Sequence, residues 1–264
     1  MVTIILVVYK SDKKKLLNIL KKVPDKFHII IVDNSYDYDF TQIKLSKKTQ
    51  IIKSKNIGNG GGINLAIKKC KTKSAIYMDI DIKLESNFLI KFFNISKKIR
   101  NFGILIPNHG NLQKKNSILE TYKGEAAVMF YNIQNLKKLN FFDEKFFLYF
   151  EETDLLHRCK INKIKCYLIQ NLKIKHNRAS SIKNENYDLK CLRVWHYMWS
   201  MFYFYKKNYN YIYAIKKTYI FLIKDFIILL TTILTFNFKN TKIRFYRLYG
   251  LISSMMSLKS FLRP

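Results

Sequence analysis

The chain has 264 residues, room for one catalytic-sized domain and an appendage, and its 48% hydrophobic content excludes wholesale disorder. Lys and Arg outnumber Asp and Glu 48 to 18, a net charge of +30, which favours a polyanionic partner: nucleic acid, an anionic membrane face or a phosphorylated substrate. Cys70, Cys159, Cys166 and Cys191 form no C-x-x-C pair, which excludes a zinc knuckle and a dithiol redox motif and leaves free thiols as the default.

The first hundred residues alternate in the βα manner. Thr3–Val8 is a short apolar, β-branched run without a basic leader or cleavage site, and is expected as a buried strand rather than a secretory signal. Ser11 or Asp12 caps a helix reaching about Lys22. His28–Val32 is a second strand, ending at Asp33-Asn34-Ser35, and Gln50–Lys53 a third. A glycine-rich turn then feeds a helix from about Ile63 to Lys69, and Ala75–Met78 is a fourth strand, ending at Asp79-Ile80-Asp81. This order implies a largely parallel sheet with helices on both faces, and such sheets bind ligands beyond the carboxyl ends of their strands.

Farther on, Phe102–Ile106, Ala126–Tyr131, Lys165–Ile169 and Leu172–Lys175 read as strands and Glu151–Asn162 as a helix. From about Asp188 long apolar-aromatic helical stretches appear, with Trp195, Trp199, Phe202, Tyr203 and Tyr205 crowded together. Phe226–Phe238 is nearly uncharged but only thirteen residues long, short of the ~20 apolar residues of a bilayer crossing. A helix packed on the domain or lying in a membrane interface is expected there. From Lys206 onward eleven Lys/Arg against one acid, Asp225, give 11 − 1 = +10, which suits an anionic leaflet.

Several clusters can carry chemistry. Asp79 and Asp81 can share a hard divalent cation and leave positions open for substrate phosphates; the bland alternative is a solvated turn. Asn56-Ile57-Gly58-Asn59-Gly60-Gly61-Gly62-Ile63-Asn64 holds four of the eight glycines and would bring backbone N–H groups to an anion. It follows the third strand and fits neither a G-x-G-x-x-G frame nor a G-K-[ST] P-loop. Asp33 can accept from a base N–H or a ribose hydroxyl, or equally cap an Asx turn. Phe146–Phe150 runs directly into Glu151, Glu152 and Asp154, acids suited either to a general base or to favourable charge on a first helical turn. His176 ends a short strand and is the one histidine that stands out as a candidate ligand.

In chain order, Val7-Val8-Tyr9, Ile31-Val32-Asp33-Asn34-Ser35, the N-x-G-x-G-x-G-x-N run from Asn56 to Asn64, Met78-Asp79-Ile80-Asp81, Phe141-Phe142-Asp143-Glu144 through Glu151-Glu152-x-Asp154-Leu155-x-x-Arg158, and His176 followed by Ser180 resemble the family 2 inverting glycosyltransferases of the GT-A fold. Within that family the segments look most like rhamnosyltransferase-like enzymes of bacterial surface polysaccharide and lipooligosaccharide synthesis. The resemblance covers about residues 1–185. It implies an α/β GT-A fold with a mostly parallel central sheet flanked by helices. It also implies a nucleotide-sugar half (1–100), an acceptor and catalytic half (101–185), and a helical, basic-aromatic, membrane-associating extension (186–264).

The resemblance further implies roles. Tyr9, Asn56, Gly58, Gly60 and Asn64 would line the nucleotide-sugar pocket, and Asp33 would contact the base. Asp79 would serve the ribose and metal, Asp81 would bind Mg²⁺ or Mn²⁺, and His176 would approach the metal or diphosphate. Glu152 would be the base, with Asp154 as its rival. The first donor implied is dTDP-rhamnose, with UDP-linked galactose, galactofuranose or N-acetylhexosamine as alternatives. The acceptor would be a glycan or lipid-linked oligosaccharide, and the site of action the inner face of the plasma membrane. A nucleotidyltransferase and a basic nucleic-acid-binding protein are the rival classes. No nucleic-acid-reading motif occurs, so no nucleic-acid partner is expected. Nothing in the sequence specifies an oligomeric state.

Overall fold

The structure is a computed structural model that describes residues 1–41, 43–110, 118–125, 127–176 and 187–264. The chain forms two compact units. The first comprises Met1–Asp143 and Leu155–Lys183, the second Glu144–Asp154 and Asn184–Pro264. The expected division at residue 185 therefore differs in one segment, since the aromatic-acidic stretch 144–154 groups with the helical end of the chain.

The first unit is built on β1 (Thr3–Val8), α1 (Lys13–Leu20), β2 (His28–Asp33), β3 (Thr49–Lys53), α2 (Gly58–Lys69), β4 (Ser74–Met78), β5 (Ile82–Lys83), α3 (Phe88–Lys98), β6 (Phe102–Asn108), β7 (Ile118–Glu120), β8 (Val128–Asn132) and α4 (Ile133–Lys137). It continues with helix α5 (Glu151–Ile161), which joins this unit from Leu155 onward, and with β9 (Lys165–Lys173) and β10 (Lys175–His176). The main sheet has the order β3-β2-β1-β4-β8-β6-β9-β7. Its first four strands are all parallel, as the βα alternation requires, while β8 runs antiparallel to both β4 and β6.

Period-2 alternation sorts the strands onto two cores. Ile4, Leu6 and Val8 share one face with Ile29, Ile31, Ile76 and Met78, and pack with Leu16 of α1 and Phe88 and Phe92 of α3. Ile5, Ile30, Val32, Ala75 and Tyr77 face the other way, onto Ile63, Ala66 and Ile67 of α2 and Leu155 and Leu156 of α5. The N-cap of α1 is Asp12, whose carboxylate accepts from the Lys14 and Lys15 N–H groups at 2.8 and 3.4 Å.

Three expectations are corrected. The glycine run is not a turn ahead of a helix: α2 starts at Gly58, and Gly60, Gly61 and Gly62 are buried within its first turns. Close packing against the sheet outweighs the poor helix propensity of glycine, roughly 1 kcal/mol per residue. The two short strands expected over 165–175 are one nine-residue strand, β9, followed by β10. The strand expected from Ala126 begins at Val128, and Ala126 itself lies outside the described residues.

In the second unit, α6 (Tyr187–Asn208), α7 (Tyr211–Leu234) and α8 (Phe238–Met255) pack around Met198, Met201, Phe202, Ala214 and Leu251. Asn210 and Asn237 cap α7 and α8 by accepting from the N–H groups of Tyr213 and Asn240 at 2.8 and 3.2 Å. A Cβ on Gly250 would come within 2.3 Å of the Trp195 carbonyl oxygen, so α8 can cross α6 this closely only with glycine there. Asp225, the one acid of the basic tail, is 1% exposed and bonds Arg244 at 2.6 Å and Arg247 at 2.7 Å, tying α7 to α8. No helix among the described residues is long and apolar enough to cross a membrane.

His196 of α6 is buried in this unit. Its Nε2–H donates to the Leu262 carbonyl at 3.0 Å, which leaves Nδ1 to accept from the Ser260 hydroxyl at 3.3 Å. Burial, aided by the Arg263 charge, pushes the imidazole down from 6.5 to about 4. The unfolded chain takes up this proton near pH 6.5 and the folded chain only near 4, so the stability contribution is lost as pH falls through that window. The urea midpoint should drop between pH 6.5 and 4, with His196 accounting for about 2–3 kcal/mol by the lower end. His196→Gln should flatten that part of the profile, as followed by far-UV circular dichroism.

Candidate active site

Strand register decides which polar residues meet. Val8 pairs with Asp33 across β1 and β2, Asp33 with Lys53 across β2 and β3, and Ile5 with Tyr77 across β1 and β4. The carboxyl ends of these adjacent parallel strands therefore carry Tyr9, Asp33, the Asn56–Gly58 entry to α2, and Asp79. That edge is where ligands bind in open α/β sheets, beside the point at which strand order reverses.

Asp33 is fully buried and anchors the following loop. Its two carboxylate oxygens accept from the Ser35 and Tyr38 N–H groups at 2.8 and 2.9 Å, the Asx-turn arrangement that was one of its two readings. Its neighbour Asn34 donates from Nδ2 to the Gly58 carbonyl at 3.0 Å, and Asn56 Oδ1 accepts from the Gly58 N–H at 3.2 Å. Gly58 has φ +81°, which fits it to the sharp entry into α2. Half-buried Tyr9 lies under the Lys10 ammonium, 5.3 Å from its ring centre, and its N–H donates to the Ser11 hydroxyl at 3.1 Å. Gly60 is buried within α2. Asn64 braces the backbone: Nδ2 donates to the Phe142 carbonyl at 2.9 Å while Oδ1 accepts from the Phe142 N–H at 3.1 Å.

Asp79 is half-buried and receives the hydroxyl proton of Tyr77. The same hydroxyl lies 2.9 Å from Asn59 Oδ1 at the start of α2, a second acceptor for its one proton. Burial, and then the Asp79 charge, raises the Tyr77 pKa well above 10, so the phenol remains a donor at any physiological pH. Asp81, 6% exposed, directly precedes β5. There His176 pairs with Ile82 and Lys175 with Lys83 in an antiparallel bridge. The chain thus brings the backbone of His176 beside the residue following Asp81; the His176 side chain and Ser180 lie outside the described residues.

The other acids belong to the second unit. Tyr149 and Phe150 precede them with φ +68° and +67°, two consecutive left-handed residues with large side chains, at a cost of about 1–2 kcal/mol each. Packing onto α6 holds them: Phe146 meets Tyr203 at 4.9 Å, Phe147 meets His196 at 4.6 Å, and Phe150 meets Tyr197 and Phe204 at 5.6 and 5.7 Å. The Ser200 hydroxyl donates to the Leu148 carbonyl at 2.9 Å. Glu152 is half-buried at the helix start. Asp154 is fully buried, with Lys207 Nζ 2.8 and 2.9 Å from its two oxygens and Asn208 Nδ2 at 3.0 Å.

No protein-family model matches the sequence, and no curated protein does. Solved structures match by shape. The Mn²⁺ and GDP-mannose complex of the mannosyltransferase PcManGT from Pyrobaculum calidifontis has a TM-score of 0.59 at 12% identity, over 97% of this chain and 87% of that one. GalNAc-T7 with UDP, GalNAc and Mn²⁺ gives 0.58 at 10% identity, over 82% of this chain. S. aureus TarS 1–349 with UDP gives 0.53 at 13% identity, over 97% of this chain and 91% of that one. The fold is GT-A. This chain spans only 56% of GalNAc-T7 and 39% of a longer TarS chain, and at these identities the likeness is one of fold.

Within the GT-A frame, residues that the sequence did not single out support those that it did. Tyr77 reads as one more apolar strand residue, yet its position two before Asp79 and facing α2 sends its hydroxyl to both Asp79 and Asn59. Lys207 and Asn208 lie more than fifty residues from Asp154 and only the helical packing reveals the pairing. Removing the Asp154 carboxylate takes away the buried counter-charge that Lys207 faces, but the Lys207 ammonium keeps access to water. Asp154→Ala should therefore cost about 3 kcal/mol in urea unfolding, the low end for a broken buried pair. Glu152→Gln, at a half-buried position, should change stability by less than about 0.5 kcal/mol.

Proposed function

We propose that the chain is a metal-dependent inverting glycosyltransferase. The observation that carries this reading is the meeting of Asp79-Ile80-Asp81 with the His176 strand beside the start of α2, on a GT-A sheet. Among the described residues no set of three or more His, Cys, Asp or Glu is arranged to hold a metal ion. Two nearby carboxylates, one of them 6% exposed, fit instead a Mg²⁺ or Mn²⁺ that keeps waters and takes substrate phosphate oxygens as further ligands. Asp81 and Asp79 would hold it, with His176 as the third candidate. Bound there, such a cation would supply charge neutralisation for a departing nucleoside diphosphate.

The chain's own groups supply the rest. Backbone N–H groups at the start of α2 favour the anionic diphosphate. Tyr77 fixes the orientation of the Asp79 carboxylate for the ribose or the cation. Asp33, fully buried, would act through the loop that it holds by accepting from the Ser35 and Tyr38 N–H groups, the loop that would border the base. Glu152 takes the proton from the acceptor hydroxyl as that oxygen attacks the anomeric carbon and inverts it. Asp154 holds the helix start through Lys207 and is therefore the weaker candidate for the base. Of the donors, dTDP-rhamnose comes first by motif resemblance, with UDP-linked galactose, galactofuranose or N-acetylhexosamine next. We assign the acceptor to glycans or lipid-linked oligosaccharides at an anionic membrane face in the cytoplasm.

A donor panel with Mn²⁺, assayed for nucleoside diphosphate release, tests the class; release of pyrophosphate from NTP would point to a nucleotidyltransferase instead. Glu152→Gln should lower kcat by about 10²–10⁴ with nucleotide affinity unchanged. Asp81→Asn should abolish the Mn²⁺-dependent part of nucleoside diphosphate binding, read by calorimetry. Turnover of Glu152→Gln within a few-fold of wild type would rule out its role as base.

A further inference from the structure

Helix α7 is amphipathic in the inverted sense. Ala214, Thr218, Asp225 and Thr232 are its buried residues, at a spacing that places them on one face. The opposite face carries Ile220, Ile223, Ile227, Leu230 and Leu234 at intervals of three and four residues, each between 47% and 77% exposed. At the turn into α8, Phe236 adopts φ +51°, and Phe236 and Phe238 are both 77% exposed. Scattered exposed apolar residues are ordinary, but a continuous stripe ending in two aromatics marks a surface that something covers.

The charges around the stripe select the occupant. Lys216, Lys217, Lys224 and Lys239 are exposed along it or at its end. Asp225, the one acid from residue 206 to the end, is turned inward between Arg244 and Arg247. No exposed side-chain carboxylate therefore opposes an anionic surface over this whole stretch. Two copies facing each other through the stripe would set these lysines against one another, whereas anionic headgroups would be attracted by ~1 kcal/mol for each lysine near them. The lysine stems can lie along the apolar face with their ammonium groups in the headgroup layer.

We infer that α7 lies in the plane of an anionic bilayer, with its Ile/Leu face and the Phe236–Phe238 turn inserted at the headgroup boundary and the Asp225 cluster facing the protein. A helix of 24 residues that carries Lys216, Lys217, Lys224 and Asp225 is suited to lie in the interface rather than to cross it. This deepens the membrane part of the proposed function and is independent of the donor and the reaction.

The test uses the full chain and vesicles of phosphatidylcholine with or without phosphatidylglycerol, with no nucleotide sugar present. Wild type should co-sediment with the anionic vesicles, and less so as salt rises. Ile223→Asn with Ile227→Asn should weaken partitioning by about tenfold or more at unchanged thermal stability. Phe236→Trp should give an emission blue shift on vesicle addition and quenching by brominated acyl chains. Binding that is indifferent to Ile223 and Ile227, with no blue shift, would overturn the α7 surface while leaving electrostatic membrane association standing. Absence of vesicle binding would overturn both. A stable dimer dispersed by the same two substitutions would also overturn the proposal, showing that a second copy covers the face. None of these outcomes bears on donor hydrolysis, so the transferase reading stands or falls separately.

Discussion

The parity of β1, paired in parallel with β2 on one side and β4 on the other, governs the first unit. Side chains on a strand alternate with a strict period of two, so a one-residue slip would exchange every core residue with its opposite. Both faces are buried here, which makes such a slip costly in either direction. With the register held, Tyr77 must face α2 and Asp33 must end β2 beside Val8. The glycine-rich start of α2 is tied to the end of β2 through Asn34, so it inherits its position from the same register. The polar residues at this edge are placed by apolar pairing that none of them shares.

The acids of the second unit depend on a different device. Two consecutive left-handed aromatic residues would not persist alone, and the rings of Tyr197, Tyr203 and Phe204 on α6 supply the packing that offsets them. The turn they force sets where α5 starts and therefore how Glu151, Glu152 and Asp154 are presented. Asp154 then closes the arrangement through Lys207 and Asn208 at the far end of α6. Glu152 is half-buried while Asp154 is buried and ion-paired, so the two neighbouring acids stand in different environments.

What could be read in advance follows from how local each signal is. The strands β1, β2, β3 and β4 are legible to within a residue because β-branched runs bounded by polar residues need no distant partner to be recognised. Asp33 and Asp79 are legible as strand-end acids for the same reason. The glycine run misleads because propensity argues against a helix that only close packing on the sheet makes favourable. The two-residue strands β5 and β10 carry no pattern, although their pairing is what places the His176 backbone beside Ile82, the residue after Asp81. Asn64 gives no local sign of its two bonds to the Phe142 backbone, because they span 78 residues. The hydrophobic period of α7 is visible in sequence, but which face meets solvent is set by α6 and α8.

Asp225 shows how much hangs on that last point. In sequence it is a lone negative charge in a basic tail, and counting gives +10 with the acid as a small offset. In the fold it is buried with two arginines, and burying such a cluster costs desolvation that a hydrophobic replacement would avoid. Its contribution is therefore better sought in orientation than in stability. The cluster commits the polar side of α7 to α8, and the Ile/Leu side then has nowhere to go but outward. The net charge and the apolar stripe, which composition alone treats as separate facts, become one surface: lysines at its margin, isoleucines and leucines along its centre, and the single carboxylate withdrawn behind it.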